Sequence, residues 1–233
     1  MITRRAADIR PFIVMDVLEA AQAMERNGED VIHLEVGEPD FDTPDCIKAA
    51  GFRALHEGKT HYTHSLGNLD LREAIALYYR GTYGVSVEPD QIIVTSGSSP
   101  AILLVFSALL DPGDEVIISD PHYACYPNFI KFVQGVPVSV PVFEEDGFQY
   151  RPEAIREKIT ARTKAIFINS PSNPTGNLLS QEELAEIAKI CAPFENLWIY
   201  SDEVYCGLVY DGEFRSIASL PGMRDRTVIA DST

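Results

Sequence analysis

Positive charge is what this sequence has least of. Its 19 Lys and Arg stand against 35 Asp and Glu, a net charge of −16 over 233 residues. A nucleic acid or an anionic membrane surface needs a cationic face, so this balance argues against either as a partner. Cysteine is also scarce. Cys46, Cys125, Cys191 and Cys206 form no C-x-x-C pair and no histidine cluster accompanies them, which argues against a metal site and fits a reducing compartment. No apolar run approaches the ~18 residues of a membrane span. The polar stretch from Met1 to Arg10, with Arg4, Arg5 and Arg10, is followed by no apolar core of a signal peptide. A soluble cytoplasmic protein is expected. Internal repeats and low-complexity tracts are missing too.

What is present is a globular composition, 45% hydrophobic and 23% charged. The length is about one and a half times the ~150-residue domain prior, enough to bury a core without disulfide or metal staples. Apolar spacing predicts a helix over 14–26, a short strand over 31–36 broken by Gly37-Glu38-Pro39-Asp40, and a helix over 68–80. From Gln91 strands and helices alternate. Strands are expected at 92–95, 115–119, 136–142, 165–169, 197–201 and 227–230, with helices at 99–110, 123–133 and 152–159. Ser180-Gln181-Glu182-Glu183 reads as a capping box before Leu184, Ile187, Ala188 and Cys191. The strands are continuous apolar runs, which suits a sheet covered on both faces. The expected fold is therefore α/β, a largely parallel sheet with helices on both sides.

In such sheets ligands bind beyond the carboxyl ends of the strands. Thr95-Ser96-Gly97-Ser98-Ser99 runs into a helix, and its glycine and serines can offer N–H groups and hydroxyls to an anion. Taken alone it is an ordinary serine-capped turn. Asp120-Pro121-His122-Tyr123 brings an aromatic that can lie against a planar ligand, though a core tyrosine is the plainer reading. Ser170-Pro171-Ser172-Asn173-Pro174-Thr175-Gly176 is a stiff turn in which Pro174 pushes Asn173 away from helical angles, leaving its amide available. Asp202-Glu203-Val204-Tyr205 follows a buried strand, and an acid there needs a partner. The conjunction supplies an anion cradle, a stacking face, a polar clamp and a carboxylate at one sheet edge. That set suits a flat, phosphorylated, nitrogen-containing aromatic ligand.

With these motifs the sequence resembles the class I/II pyridoxal-phosphate aminotransferases of the aspartate aminotransferase fold (fold type I). The resemblance rests on Leu34 to Phe41, Tyr62 to Arg72 (Y-x4-G-x3-L-R), Thr95 to Pro100, Asp120 to Tyr123, Ser170 to Gly176 and Ser201 to Tyr205. It implies a pyridoxal 5'-phosphate cofactor whose ring nitrogen pairs with Asp202. Asn173 and Tyr205 are implied at the ring's 3-oxygen, Tyr123 on its face, and Gly97, Ser98, Ser99 and the Ser232 hydroxyl at the phosphate. It also implies that Tyr62 reaches the phosphate of a neighbouring subunit, hence a homodimer, and that Gly37 lies against the substrate carboxylate. A cis peptide bond is implied at Asn173–Pro174. Residues 1–45 are expected to form an arm and a segment of a smaller domain, and 46–233 the large cofactor-binding domain, incomplete at its C-terminus.

The family's cofactor-binding lysine lies in a Ser-x-Ser-Lys or similar run. Ser232-Thr233 looks like the first half of it, which puts the lysine just past Thr233. The expected activity is transfer of an amino group between an L-amino acid and a 2-oxo acid. A carbon–sulfur lyase on the same scaffold, or a non-catalytic sensor of cofactor or amino acid, ranks below it. His64 and Ser65 read as surface loop rather than substrate pocket.

Overall fold

The computed structural model describes residues 2–39 and 41–232. Asp40 and Thr233, both part of motifs quoted above, lie outside the described residues. Two compact units emerge, residues 2–9 with 66–232, and residues 10–65. Helices precede the sheet in the chain: α1 (Arg4–Asp8), α2 (Ile13–Arg26), α3 (Asp45–His56), α4 (Leu69–Tyr83) and α5 (Ser98–Leu109). Then come β1 (Glu115–Asp120), α6 (Tyr126–Phe132), β2 (Val136–Pro141), α7 (Pro152–Lys158), β3 (Thr163–Asn169), α8 (Gln181–Cys191), β4 (Trp198–Asp202) and β5 (Thr227–Ala230).

The strands lie in the order β2-β1-β3-β4-β5, and each neighbouring pair is parallel. Their unbroken apolar runs divide between two cores by the two-residue period of a strand. In β3, Ala165 and Phe167 face a core shared with Ile102 and Phe106 of α5 and Tyr126 and Ile130 of α6. Ile166 and Ile168 face the other core, with Ile155 of α7 and Leu184, Ile187 and Ile190 of α8. Both faces of the sheet are therefore dry, as the sequence predicts.

Helix α8 shows why these residues make that element. Its larger apolar side chains, Leu184, Ile187, Ile190 and Cys191, recur at three- and four-residue steps and are buried. The Ser180 hydroxyl accepts from the Glu183 N–H at 3.0 Å, while the Ser180 N–H goes to the side chain of Gln149. Only one half of the expected capping box is formed.

Two expected strands are not found. Residues 31–36 and 92–95 carry the right β-branched pattern but form no ladder. A strand exists through a paired neighbour. Ile32, Leu34 and Ile93 are instead exposed, and the Val94 N–H meets the Leu66 carbonyl at 2.9 Å without extending into pairing. That contact is tight: a Cβ on Gly67, at φ +97°, would lie 2.7 Å from Val94. The buried guanidinium of Arg72 holds the same corner, donating to the Gly67 carbonyl at 3.1 Å and the Pro89 carbonyl at 2.7 Å. Helix α6 also starts later than expected, because residues 123–125 form a turn.

In the second unit, α2 confirms the expected helix and α3 is additional. Pro44 before α3, Asp45 in its first turn and Arg53 and His56 in its last are ordinary end signals.

Ile166 is fully buried at the centre of the sheet. Ile166→Ala should cost about 3 kcal/mol through lost transfer energy and the cavity left behind. Urea titration should show a lower midpoint with an unchanged slope.

Candidate active site

Strands β3, β4 and β5 end nearly level. Asn169 is in register with Asp202, and Asp202 with Ala230. Beyond that edge the chain closes cross-links. The Asn169 side-chain amide donates to the Asp202 carbonyl at 3.1 Å, and the Ser170 N–H reaches the same oxygen at 3.2 Å. The Glu203 N–H donates to the Ala230 carbonyl at 2.8 Å. Side chains just past the three strands are thereby brought to one rim.

Asp202 is 5% exposed. The Tyr126 hydroxyl donates to its Oδ2 at 2.7 Å, and the Val204 N–H to its Oδ1 at 3.3 Å. Both donors are neutral. Burial lifts the Asp202 pKa above the ordinary carboxylate range, and these two bonds oppose it without prevailing. Tyr126 came from no sequence argument. The signal for it is a tyrosine in the apolar stripe of α6, four residues before Ile130, where a buried hydroxyl needs a partner.

The structure brings Asn173 and Tyr205 together. The Asn173 Nδ2 lies 3.4 Å from the Tyr205 hydroxyl, and the Asn173 N–H donates to Asn169 Oδ1 at 2.7 Å. The Asn173–Pro174 peptide is cis, as are those before Pro121 and Pro171. Tyr123 stands edge-on to Tyr126, with ring centres 5.3 Å apart. Asp202 and Tyr205 are near enough to Tyr123 to act on its phenol, which burial pushes well above its usual value.

Gly97 caps α5 at φ +93°, a conformation that favours glycine. The first N–H groups of α5 have no partner within the helix, and a helix N-terminus of this kind favours an anion. A short link from α5 to β1 makes the helix antiparallel to the strands, so this end lies toward their carboxyl edge. Ser232 follows β5 at that edge and donates its N–H to Asp231 Oδ1 at 2.7 Å. Gly37 and Tyr62 belong to the unit of residues 10–65. Tyr62 is fully exposed. The approach to Gly37 is tied by His33, whose ring meets Glu35 and, at 3.1 Å, Glu25. The bonds to Glu35 and then Glu25 raise the His33 pKa.

Fold and rim together define an α/β domain with polar side chains gathered beyond the carboxyl ends of a parallel sheet, where ligands of such sheets bind. The chain belongs to the aminotransferase class I and II family, whose model matches residues 29–233. It is 45% identical over 219 residues to a probable aspartate/prephenate aminotransferase of Aquifex aeolicus, covering 94% of this chain and 55% of that protein. It is 43% identical over 230 residues to the (5-formylfuran-3-yl)methyl phosphate transaminase of Methanocaldococcus jannaschii, covering 98% of this chain and 58% of that one. The aspartate aminotransferase of Thermus thermophilus, solved with maleate, superposes with a TM-score of 0.95 at 40% identity, covering 99% of this chain and 60% of that one. The chain thus spans less than two thirds of the length of each of these proteins. Its fold is that of the fold type I aminotransferases. Among the described residues no helix is long and apolar enough to cross a membrane, and no cluster of His, Cys, Asp and Glu could hold a metal ion.

Glu203, beside Asp202, is 1% exposed. The hydroxyls of Ser201 and Ser216 donate to its Oε1 at 2.8 and 2.7 Å, while Oε2 has no hydrogen-bond partner among the described residues. Burial pushes its pKa up to about 7. The folded state then holds a proton that the unfolded chain releases, so stability falls as pH rises from about 4.5 through about 7. Glu203→Gln keeps the acceptor for both serines and removes the titration. Urea midpoints at pH 5 and pH 8 should converge in this variant, recovering up to about 3 kcal/mol at the higher pH.

Proposed function

We propose that this chain is part of a pyridoxal-phosphate-dependent aminotransferase that moves an amino group between an L-amino acid and a 2-oxo acid, as a cytoplasmic homodimer. Residues 1–45 are assigned to an arm and small-domain segment and 46–233 to the large domain. The observation that carries the proposal is Asp202. It is a carboxylate buried at the rim, held by two neutral donors and lifted in pKa by burial. Among the described residues such a group has no cationic partner, and a protonated ring nitrogen supplies one. The residues around it fit the rest of the cofactor. Neutral donors and acceptors lie at Asn173 and Tyr205 for the ring oxygen, an aromatic at Tyr123 for the ring face, and a helix N-terminus at Gly97, Ser98 and Ser99 for the phosphate.

When bound, pyridoxal phosphate supplies an electron-poor ring that delocalises the electron pair left by a broken α-carbon bond of the amino acid. Asp202 holds the proton at the ring nitrogen and so keeps the ring cationic. The same proton favours the ionised form of Asp202, reversing the effect of burial. Asn173 and Tyr205 hydrogen-bond the 3-oxygen and stabilise negative charge there. Tyr123 covers one ring face. The α5 N–H groups and the Ser232 hydroxyl hold the phosphate. Tyr62 completes the partner's phosphate site, and Gly37 lets the substrate carboxylate approach the backbone. The α-proton is assigned to the lysine expected just past Thr233.

The full-length protein loaded with cofactor tests this directly. Aspartate is the first donor to try, given the names of the relatives above, followed by other single amino acids. Conversion of the pyridoxal to the pyridoxamine form is followed by absorbance. Conversion by no amino acid overturns the proposed activity. Asp202→Asn keeps the shape and removes the charge. Cofactor binding should survive while single-turnover transamination slows about 10²–10³-fold, since the lost interaction acts on charge developing in the transition state. A rate near wild type would show that Asp202 is not the ring's counter-charge.

A further inference from the structure

We infer that Tyr79 is a positioning residue for the phosphate cradle, acting through Asp231 on Ser232. This rests on the cofactor reading above. Asp231 is the first residue past β5, and its two carboxylate oxygens face different ways. Oδ2 accepts from the Tyr79 hydroxyl at 2.7 Å, and Oδ1 accepts from the Ser232 N–H at 2.7 Å. The carboxylate therefore couples a phenol of α4 to the backbone of the serine that carries the phosphate-binding hydroxyl.

The phenol is itself fixed. Tyr79 is 6% exposed, packed with Val85 and Ala218 and flanked by Ile75 and Ile229. Tyr83, one turn further along the same face of α4, lies edge-on to it with ring centres 5.2 Å apart. Tyr83 reinforces the same target by a second route. Its hydroxyl donates to Cys206 Sγ at 3.1 Å, and that sulfur lies 3.8 Å from Asp231 Oδ1. One helix thus holds Asp231 by two paths, one direct and one through the residue that follows Tyr205. Burial raises the Tyr79 pKa far above its usual value, so its hydroxyl stays a donor across the working pH range.

Without the Tyr79 hydroxyl the Asp231 carboxylate keeps only the Ser232 N–H and the long Cys206 contact, so its rotor and the turn into Ser232 are less tightly fixed. The anchor fixes that rotor before any phosphate arrives, which lowers the ordering cost of binding. A merely structural tie would affect binding of the whole cofactor. A positioning role toward the phosphate separates two probes that differ only in that group, pyridoxal phosphate and pyridoxal.

The experiment measures the affinity of the full-length apoprotein for both probes, for wild type, Tyr79→Phe, Ser232→Ala and the double variant. Phenylalanine keeps the ring packing and removes the hydroxyl, so the fold should persist. Tyr79→Phe should weaken pyridoxal phosphate about tenfold, the loss of a hydrogen bond to a charged group, and change pyridoxal less than twofold. The double variant should bind pyridoxal phosphate no more weakly than Ser232→Ala alone, because both changes act on one contact. Equal weakening of both probes, or penalties that multiply in the double variant, would overturn the inference. A wild type that prefers pyridoxal phosphate while Tyr79→Phe leaves that preference intact overturns this inference alone. A wild type that binds the two probes equally removes the phosphate cradle, and the cofactor reading falls with it.

Discussion

Asp202 ends a strand that is covered on both faces, so its carboxylate is largely withdrawn from water. Much of the rim is arranged around that constraint. Tyr126 leaves the apolar stripe of α6 to donate to it, and the Val204 N–H turns back toward it. Neither donor carries charge, and burial still dominates the Asp202 pKa. In the proposed reading the missing term is the ring's N–H⁺. Low dielectric then works in the opposite direction. The burial that penalises a lone carboxylate strengthens its attraction to a cation at hydrogen-bond distance. Breaking such a pair by removing one partner leaves a buried charge and costs about 3–5 kcal/mol. The site is thus unfavourable when incomplete and strongly held when complete.

The sheet supplies the rigidity that this arrangement needs. Parallel register brings the ends of β3, β4 and β5 level, and the cross-links at Asn169, Ser170 and Glu203 prevent the ends from fraying apart. Asn173 is held from the same place, since its N–H is taken by Asn169. Its side chain is therefore positioned by backbone geometry rather than by the ligand. Donors that need not reorganise contribute more to charge stabilisation than donors that must first find their place.

The alternating pattern from Gln91 onward made most of this fold legible. Apolar runs as long as β3 have no other use in a chain of this composition, and a parallel sheet directs attention to the residues after each strand. Asn173, Asp202 and Tyr205 became candidates that way because Asp202 is the last residue of β4 and the other two lie within four residues of a strand end. What was not legible depends on partners distant in sequence. Tyr126 meets Asp202 across 76 positions and Tyr79 meets Asp231 across 152. In sequence each is simply an aromatic on a helix stripe. The strands expected at 31–36 and 92–95 failed for the same reason. Local pattern reports what a segment can pair with, and pairing needs a neighbour that only the tertiary fold supplies. Helix α3 was overlooked because Ile47, Phe52 and Leu55, its large apolar side chains, are exposed, so its stripe matches no buried face of its own unit.

Three acids meet near one rim of a chain already at −16: Asp202, Glu203 and Asp231. Asp231 raises the cost of ionising both Asp202 and Glu203, and Asp202 adds to the cost for Glu203. The fold resolves this crowding differently for each, and depth of burial sorts the solutions. Asp231, the least buried, is satisfied by a phenol and a backbone N–H and holds the chain at Ser232. Glu203, the deepest, takes both serine hydroxyls on Oε1 and leaves Oε2 without a partner among the described residues, and burial pushes its pKa up to about 7. When Glu203 takes up a proton it no longer repels Asp202. In the proposed reading that leaves Asp202 as the acid whose charge has a use, since it lies near Tyr123, as Tyr205 does. Protonation of Glu203 and the anchor on Asp231 then both favour, in that reading, one arrangement: the Asp202 charge, fixed in position, at the place where the proposed cofactor brings its positive one.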